Sequence, residues 1–490
     1  MFDLILLYNM LQICSKHAES SLFKTFALPV SDFCKSCVKS TLMFLFLVES
    51  FKVLRWKRMR IFVKSFGCAT NHADGAVLAG CLCRAGHRIV DSISNADVVI
   101  YNTCAVKGPT ENRIVAVMKS VPSEKKLVVV GCLPLINRGR IEEGVRFDGL
   151  VGPSVGEGIV DIVDRVVKGD RVVAVEEDFS NKPELNLPRM DLNPTVSVVP
   201  ICYGCLGSCA YCCVVFARGH LRSYRVEEIV RRVEDDLDKG FKEFWLTAQD
   251  VGCYGKDIDA NLAQLLESVC SVEGDFRVRV GMMTPSSVMD ELEDLVLAFE
   301  DERIFKFLHL PVQSGDDEVL DRMRRLYSVR DFKKVVGRFS ASFPRMTLAT
   351  DIICGFPGES IEAFERTLSL IEQVRPDVLN VSKFYARPRT PAARMQDNFV
   401  SSYEIKRRSK EAGLLARRIV SEKNRQWVGW KGSILVDEVG KVGGSWVGRN
   451  FAYRPIVVKS GEPLLGKTVL VEVVKSFHTF LEGKIFGQDP

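Results

Sequence analysis

Three cysteines, Cys205, Cys209 and Cys212, lie in one short segment with the spacing C-x3-C-x2-C. A [4Fe–4S] cluster is normally held by four cysteine thiolates, so three thiolates leave one iron free to bind a small molecule. The alternative is a zinc knuckle or a set of structural thiols. Zinc sites usually pair their cysteines as C-x2-4-C with a distant second pair. The spacing therefore favours a cluster with one open coordination position.

The segment also carries an aromatic residue, Tyr211, directly before its third cysteine. In this it resembles the radical S-adenosylmethionine superfamily. The resemblance implies that S-adenosylmethionine chelates the free iron through its amino and carboxylate groups. It also implies that an electron from the cluster cleaves the sulfonium and yields a carbon radical. The flanking Cys202 and Cys213 break the spacing, so we do not predict them as ligands.

Three further cysteines, Cys68, Cys104 and Cys132, are far apart in the sequence. Each follows a short run rich in β-branched residues: Ile61–Val63, Val98–Tyr101 and Leu127–Val130. Such runs, alternating with amphipathic segments, predict an open parallel α/β sheet with helices on both faces. Ligands collect beyond the carboxyl ends of parallel strands, so the three thiols can converge on a second three-thiolate cluster. The alternative is one buried structural cysteine at each strand end.

The surroundings of these cysteines resemble the methylthiotransferase family of radical S-adenosylmethionine enzymes. The segments that carry the resemblance are Gly67–Asn71, Asn102–Val106, Gly131–Pro134 and the Cys205 loop. The match runs from about Met59 to the C-terminus. It implies that Cys68, Cys104 and Cys132 hold an auxiliary [4Fe–4S] cluster in the first domain.

An incomplete (β/α) barrel is predicted between the Pro- and Asn-rich linker at 181–188 and about Val420, where strand-like and helical segments alternate. Its first strand, Ser197–Ile201, leads into the Cys205 loop. The other candidate strands are Glu243–Thr247, Arg277–Val280, Lys306–Leu310 and Leu348–Ile353, with helices such as Val226–Lys239 and Ser360–Val374. Polar loops follow these strands, at Gln249–Asp250, Thr284–Pro285, Gln313–Gly315 and Gly355–Glu359. His309 is either a lumen residue near the substrate or a satisfied core residue.

A basic stretch and a β-rich tail complete the chain. Between Arg387 and Lys431 there are twelve Lys or Arg residues and four Asp or Glu residues, which predicts either phosphate contact or a solvated helix face. The residues at 432–486 form short β runs broken by glycines, which predicts five strands closing a small barrel. This tail resembles the TRAM domain, which binds tRNA. The residues available for stacking or backbone contact are Arg449, Phe451, Tyr453 and Phe477. Aromatic residues in a small barrel are more often core residues, so we predict none of them as a site residue.

The composition describes an ordinary globular protein. The chain has 490 residues, 47% apolar and 26% charged, with a net charge of +5, so any nucleic-acid contact requires a local patch. Sixteen cysteines are too sparse for a disulfide scaffold, so we expect reduced thiols and a cytoplasmic protein. Isolated thiols are expected to be buried small hydrophobes: Cys81, Cys83, Cys270 and Cys354.

Residues 1–58 differ from the rest of the chain. Their apolar run Leu42–Val48 is far shorter than the roughly 20 residues that span a bilayer. We interpret the segment as an over-extended start, with a peripheral or membrane-surface element as the alternative. The expected domains are a methylthiotransferase N-terminal domain at 59–180, a radical S-adenosylmethionine domain at 191–422 and a TRAM-like domain at 424–488.

Three segments resemble the archaeal and eukaryotic branch of the family: Gly204–Leu206, Ala217–Tyr224 and Asn102–Thr110. That resemblance implies methylthiolation of N6-threonylcarbamoyladenosine at position 37 of tRNA. One S-adenosylmethionine would give the radical at the Cys205, Cys209 and Cys212 cluster, and a second would methylate a sulfur held on the auxiliary cluster.

The alternatives are isopentenyladenosine-37 or a ribosomal-protein aspartate as substrate, a radical enzyme of another reaction type, and an RNA-binding Fe–S protein without transferase activity. The expected partners are tRNA, S-adenosylmethionine, a flavodoxin- or ferredoxin-like reductant and a sulfur source. We expect a monomer with no membrane association.

Overall fold

The computed structural model describes residues 58–105, 108–175, 179, 182–191 and 193–488. The chain divides into two units, Met1–Arg58 and Met59–Pro490. The predictions made for residues 1–57 lie outside the described residues. Everything below concerns the second unit.

The first domain is a parallel six-stranded sheet with the order β2-β1-β3-β4-β5-β6. Its strands are β1 (Arg60–Ser65), β2 (Arg88–Ile89), β3 (Val98–Thr103), β4 (Lys126–Gly131), β5 (Gly149–Val151) and β6 (Val172–Ala174). Its helices are α1 (Ala69–Arg84), α2 (Gly108–Lys119), α3 (Cys132–Ile136), α4 (Arg138–Gly144) and α5 (Ile159–Lys168).

Alternate residues of the central strands pack on opposite faces of this sheet. Val99 and Val129 join a cluster with Ile114 of α2, whereas Ile100 and Val128 join a second cluster with α1 and α5. Helices therefore cover both faces, as the sequence pattern predicted. The sequence missed β2, β5 and β6, because two or three residues are too few to show a period.

The central domain contains two adjoining three-stranded sheets, β7-β10-β11 and β12-β13-β14, with a small hairpin of β8 and β9. Its strands are β7 (Val196–Pro200), β8 (Cys202–Tyr203), β9 (Arg222–Ser223), β10 (Glu243–Thr247), β11 (Arg277–Val280), β12 (Phe307–His309), β13 (Thr347–Cys354) and β14 (Val378–Lys383). Its helices are α6 (Val214–Arg218), α7 (Val226–Asp238), α8 (Leu262–Cys270), α9 (Pro285–Val288), α10 (Leu292–Ala298), α11 (Asp317–Arg322), α12 (Val329–Ser342), α13 (Ile361–Val374) and α14 (Ser402–Arg425).

The two sheets continue into each other through a parallel bridge between Val278 and Ile304. All pairings within them are parallel, and β7 and β14 are the outer strands, so the barrel is incomplete as predicted. Local sequence sets the helix starts. Before α12, for example, the Oγ of Ser328 accepts from the N–H of Asp331, whose carboxylate accepts from the N–H of Ser328 in a capping box. The sequence analysis missed β14, whose side chains are half-buried or exposed.

The C-terminal domain is a closed five-stranded barrel, as predicted, with the order β15-β16-β17-β19-β18. Its strands are β15 (Lys431–Val439), β16 (Ser445–Arg449), β17 (Pro455–Lys459), β18 (Thr468–Ser476) and β19 (Leu481–Gln488). The three-part α/β fold class predicted from the sequence is therefore confirmed. In the part of the chain that the structure describes, no helix has the length and apolarity needed to cross a membrane.

Candidate active site

The Cys205–Cys212 loop emerges beyond the carboxyl end of β7, above the hairpin of β8 and β9. Gly204 opens the loop with φ +77°, and a Cβ there would lie 1.9 Å from the carbonyl oxygen of His220. Only glycine fits so close an approach in a left-handed conformation. The hairpin and this glycine together place the loop at the mouth of the barrel.

Each sulfur of this loop accepts a hydrogen bond. The N–H of Gly207 donates to Cys205 Sγ at 3.2 Å, and the N–H of Val214 donates to Cys212 Sγ at 3.4 Å. Arg325 donates from Nη1 to Cys209 Sγ at 2.9 Å. Hydrogen bonds to the sulfurs stabilise thiolates and tune the potential of an iron–sulfur cluster. This donor set fits a cluster held by the three cysteines.

A glycine keeps the space beside two of the sulfurs open. A Cβ at Gly207 would lie 3.3 Å from Cys205 Sγ and 3.6 Å from Cys209 Sγ, so a side chain there would enter the space between two ligands. Among the described residues, no three His, Cys, Asp or Glu side chains are arranged to hold a metal ion. A [4Fe–4S] cluster does not need that arrangement, because its thiolates bind separate irons and stand farther apart.

Burial disfavours the thiolate form of two cysteines of this loop, Cys205 and Cys212. Burial raises the pKa of Cys205 to about 12 and also raises the pKa of Cys212. Cluster assembly requires thiolates and therefore releases protons.

A cavity of about 870 Å³ opens in front of the loop. It is lined by residues at the carboxyl ends of the barrel strands, where the sequence analysis placed the site: Gln249, Asp250, Thr284 and Gln313. Asp250 organises this wall, because its carboxylate accepts from the N–H groups of Gly252 and Thr284 at 3.1 Å each. With those bonds made, Asp250 acts as a scaffold for the loops.

His309 lies on the wall of the same cavity. Of the two positions considered for it, it therefore occupies the barrel lumen and not the core. Its Nε2 is 3.1 Å from Asp351 Oδ2, and Asn380 donates to Asp351 Oδ1 at 2.6 Å. The sequence analysis did not single out Asp351, Asn380 or the cavity-lining Arg279. One signal in the sequence could have identified Asp351, since it is the single charged residue within strand β13.

The second set of cysteines lies at one edge of the first sheet. Cys68 caps the N-terminus of α1, Cys104 follows β3, and Cys132 is the first residue of α3. Thr103 of β3 is paired with Gly131 of β4 on the neighbouring strand. Cys104 and Cys132, the residues that follow this pair, therefore lie side by side at the ends of the two strands. The structure thus places all three at the edge predicted from the strand ends.

Hydrogen bonds fix the backbone around this edge. Asn71 donates to Asn102 Oδ1 at 2.8 Å, and Asn102 donates to the carbonyl of Asn71 at 2.6 Å. Gly131 has φ +105°, and a Cβ there would lie 2.4 Å from the carbonyl oxygen of Thr103. The tight turn before Cys132 therefore requires glycine.

Two of these cysteines are electrostatic neighbours. Burial raises the pKa of the Cys132 thiol, and Cys68 adds to that rise, whereas the Arg218 guanidinium opposes it. Cys68 also lines the 870 Å³ cavity together with Cys205, Cys209 and Cys212. The two cysteine sets therefore meet at one cavity.

The remaining thiols are mostly structural. Cys81, Cys270 and Cys354 are buried as expected, and the buried Cys213 donates to the carbonyl of Ala105 at 3.6 Å. The expectation for Cys83 was wrong, because it is exposed at the last turn of α1.

Internal ion pairs occupy part of the basic stretch. Arg387 is buried against Glu111, and Arg408 is buried against Glu359 at 2.7 Å. Lys423 contacts the buried Asp377 at 2.6 Å. These three side chains neutralise buried carboxylates, so part of the basic stretch is used inside the protein.

Two of the residues considered for RNA contact in the C-terminal barrel make contacts inside the protein. The ring centre of Tyr453 lies 4.8 Å from that of Phe305 and 5.2 Å from the Arg279 guanidinium, both in the central domain. Arg449 donates to Asp437 Oδ2 at 2.9 Å and is 16% exposed. Tyr453 therefore packs between the two barrels, as the core alternative holds, and Arg449 is paired within the C-terminal barrel. Phe451 remains 41% exposed.

Known proteins resemble this chain over most of its length. A protein of Pyrococcus abyssi named probable threonylcarbamoyladenosine tRNA methylthiotransferase is 40% identical over 432 residues, which cover 88% of this chain and 100% of that protein. The chain belongs to this family. The human threonylcarbamoyladenosine tRNA methylthiotransferase is 34% identical over 433 residues, covering 87% of this chain and 74% of the human protein.

Two family models match the domains of this methylthiotransferase family member. The radical SAM superfamily model matches residues 199–371, and the model described as uncharacterized protein family UPF0004 matches residues 60–152. S-adenosylmethionine and [4Fe–4S] clusters are the cofactors of the family, as predicted. Both relatives are named for threonylcarbamoyladenosine, so isopentenyladenosine and a ribosomal-protein aspartate are not favoured as substrates.

Solved structures resemble the chain more remotely. The radical S-adenosylmethionine methyltransferase TsrM from Kitasatospora setae gives a TM-score of 0.49 at 13% identity, covering 80% of this chain and 81% of that chain. The cobalamin-dependent radical enzyme OxsB gives a TM-score of 0.49 at 12% identity, covering 72% of this chain and 57% of that chain.

Proposed function

We propose that this chain converts N6-threonylcarbamoyladenosine at position 37 of tRNA into its 2-methylthio derivative. The observation that carries the proposal is the shared cavity, which is lined by Cys68 of the first domain and by Cys205, Cys209 and Cys212 of the barrel. A methylthiolation needs a radical source and a sulfur reservoir beside the same carbon. One cavity reached by both cysteine sets meets that requirement.

The two sets would hold one [4Fe–4S] cluster each. Cys205, Cys209 and Cys212 would hold the cluster that binds S-adenosylmethionine, and Cys68, Cys104 and Cys132 would hold the auxiliary cluster. When bound, the first supplies the electron that cleaves the sulfonium, and the second supplies a place for the sulfur to be transferred.

The side chains of the cavity bind and orient the reactants. At about 870 Å³ the cavity is near the upper end of small-molecule sites, so it has room for more than one ligand. Arg325 and Gln249 are tied to the cluster loop, the former through Cys209 and the latter by accepting from the N–H of Gly204 at 2.8 Å. The pair of His309 and Asp351 offers polar atoms on the opposite strands.

The outward face of α14 would contact the tRNA backbone. Lys406, Lys410 and Arg417 are exposed and lie on one side of the helix at 100° per residue. Within the described part of the chain, no ion pair involves these three cations, whereas the neighbouring Arg407 and Arg418 pair with glutamates. Phosphates are the ligands that such unpaired cations attract.

Several partners and properties extend this proposal. A flavodoxin- or ferredoxin-like reductant would deliver the electron, and a separate sulfur source would reload the auxiliary cluster. The chain would act as a monomer in the cytoplasm, with no membrane association. The expected domains at 59–180, 191–422 and 424–488 would supply the auxiliary cluster, the radical and the RNA contact, respectively.

The test is mass spectrometry of tRNA nucleosides from cells that lack the gene, compared with cells in which it is restored. We expect 2-methylthio-N6-threonylcarbamoyladenosine to disappear and return, while its unmodified precursor accumulates and falls. Restoration with a Cys209→Ala variant serves as the control and should not bring the product back. An unchanged nucleoside profile would contradict the proposed substrate.

A further inference from the structure

Arg218, the last residue of α6, is buried between the first domain and the barrel with 2% of its surface exposed. Its Nη2 donates to Asp74 Oδ2 at 2.5 Å, and its guanidinium lies 5.5 Å from the ring centre of Tyr203. Tyr203 donates its hydroxyl to Asp74 Oδ1 at 2.7 Å. A buried ion pair is weak evidence for stability, because the free energy lost in desolvating the two charges can equal the free energy gained from their attraction. The arrangement therefore requires another reason.

One donor of this guanidinium is left open. Nη1 of Arg218 is buried and has no hydrogen-bond partner among the described residues. Leaving a buried donor without a partner is unfavourable, and more so for a charged group. Helix α6, which ends at Arg218, packs on helix α3, which begins at Cys132. The guanidinium is therefore close to the Cys132 thiol, and it opposes the rise in the pKa of that thiol. The open donor thus lies beside the auxiliary cysteines.

We propose that Arg218 is a positioning residue of the auxiliary cluster, with its open Nη1 donating to a sulfur atom of that cluster and its charge raising the cluster's reduction potential. This inference rests on the proposed assignment of Cys68, Cys104 and Cys132 as ligands. Because Arg218 follows the radical cluster loop by only six positions, it also ties the two cysteine sets together across the domain boundary.

The physical reason is the charge of the cluster. Reduction adds one negative charge, and a buried cation nearby stabilises the reduced state through a weakly screened Coulomb interaction. Asp74 acts in the opposite direction, because its charge is felt at Cys132 as well. Removing Arg218 and removing Asp74 should therefore shift the potential in opposite directions, although both changes break the same ion pair.

The experiment uses the full chain with Cys205, Cys209 and Cys212 replaced by alanine, so that only the auxiliary cluster is assembled with iron and sulfide. Its midpoint potential is measured by redox titration followed by electron paramagnetic resonance. We expect Arg218→Gln to lower the potential, Arg218→Lys to leave it close to the parent value, and Asp74→Asn to raise it. The control is Arg408→Gln, which breaks the buried pair with Glu359 and should leave the potential unchanged.

A purely structural Arg218 gives a different pattern. Equal potentials in all variants, or shifts of the same sign for Arg218→Gln and Asp74→Asn, would overturn the proposal. If Arg218→Gln holds no iron, the other two variants decide: a raised potential in Asp74→Asn together with the parent value in Arg218→Lys supports the proposal, and an unchanged or lowered potential in Asp74→Asn overturns it.

The cluster assignment fails in a distinguishable way. A parent without any cluster signal would overturn the auxiliary-cluster assignment, and the inference about Arg218 with it. A normal cluster with an unmoved potential would overturn the inference about Arg218 alone.

Discussion

Arg325 donates a hydrogen bond from Nη1 to the Sγ of Cys209 across 2.9 Å, although 116 positions separate the two residues. A hydrogen bond to a charged group contributes about 1.5–3 kcal/mol. We therefore expect Arg325→Gln to slow reductive cleavage of S-adenosylmethionine by about one to two orders of magnitude. Formation of 5′-deoxyadenosine by the reconstituted enzyme measures this rate.

The matched control for Arg325 is Arg330→Gln, which removes an exposed arginine at the start of α12. Its cleavage rate should equal that of the parent. If Arg325→Gln cleaves at the parental rate with the same iron content, the hydrogen bond to Cys209 has no role in the reaction.

The two cysteine sets should separate into two phenotypes. Cys209→Ala should abolish both cleavage of S-adenosylmethionine and methylthiolation of tRNA. Cys104→Ala should retain cleavage and lose methylthiolation, because Cys104 is assigned to the auxiliary cluster that holds the sulfur to be transferred. Both products are quantified in one reaction by mass spectrometry. Cys83→Ala, at an exposed cysteine outside both sets, is the control. Methylthiolated tRNA from the Cys104 variant would show that the auxiliary assignment is wrong.

The contact between the two barrels contains a pair of buried carboxylates, Glu243 and Asp437. Burial and the nearby Asp437 raise the pKa of Glu243 to about 7 from 4.5. Neither Glu243 Oε2 nor Asp437 Oδ1 has a hydrogen-bond partner among the described residues. Glu243 is therefore expected to stay protonated in the folded state below neutral pH.

The sign of the pH effect follows from that raised pKa. The contribution of Glu243 to stability is fully present below pH 4.5 and is lost as pH rises through about 7. Glu243→Gln should therefore melt at a higher temperature than the parent at pH 8, with a smaller difference at pH 5. Each unit of raised pKa corresponds to about 1.4 kcal/mol.

The apparent melting temperature of the cluster-free protein between pH 5 and pH 8 measures this effect. Glu438→Gln is the control, because its side chain is 59% exposed on the same strand as Asp437. A constant difference between parent and Glu243→Gln at all pH values would mean that Glu243 does not titrate in this range.

The outward face of α14 predicts a salt-dependent effect on tRNA binding. The triple change of Lys406, Lys410 and Arg417 to glutamine should weaken binding at low salt. Each lost phosphate contact removes about 0.7–0.9 from the slope of log affinity against log salt concentration, so the slope should fall by about 2 to 3. Equilibrium binding of unmodified tRNA at several salt concentrations gives that slope.

The control for this face neutralises the paired cations instead. Arg407 and Arg418 lie on the same helix, but each already contacts a glutamate. Changing both to glutamine should leave the salt slope nearly unchanged. Equal slopes for the triple variant and the parent would place the tRNA elsewhere on the protein.

The sequence by itself determined the chemistry of this chain. The three thiols of the barrel loop lie within eight residues, so their spacing alone indicates a three-thiolate cluster. Cys68, Cys104 and Cys132 are distant in sequence, yet each follows a strand. Because parallel strands end at one edge of a sheet, this position was sufficient to predict that they lie together.

Only the tertiary structure decided which polar residues serve these cysteines. Arg325 reaches Cys209, and Arg218 reaches Asp74 over 144 positions, through packing that no local pattern encodes. The same holds for the basic stretch, where Arg408 neutralises the buried Glu359 while Lys406 remains exposed. The sequence shows that a side chain is charged but not which residue it pairs with, because burial and long-range pairing depend on how the domains pack.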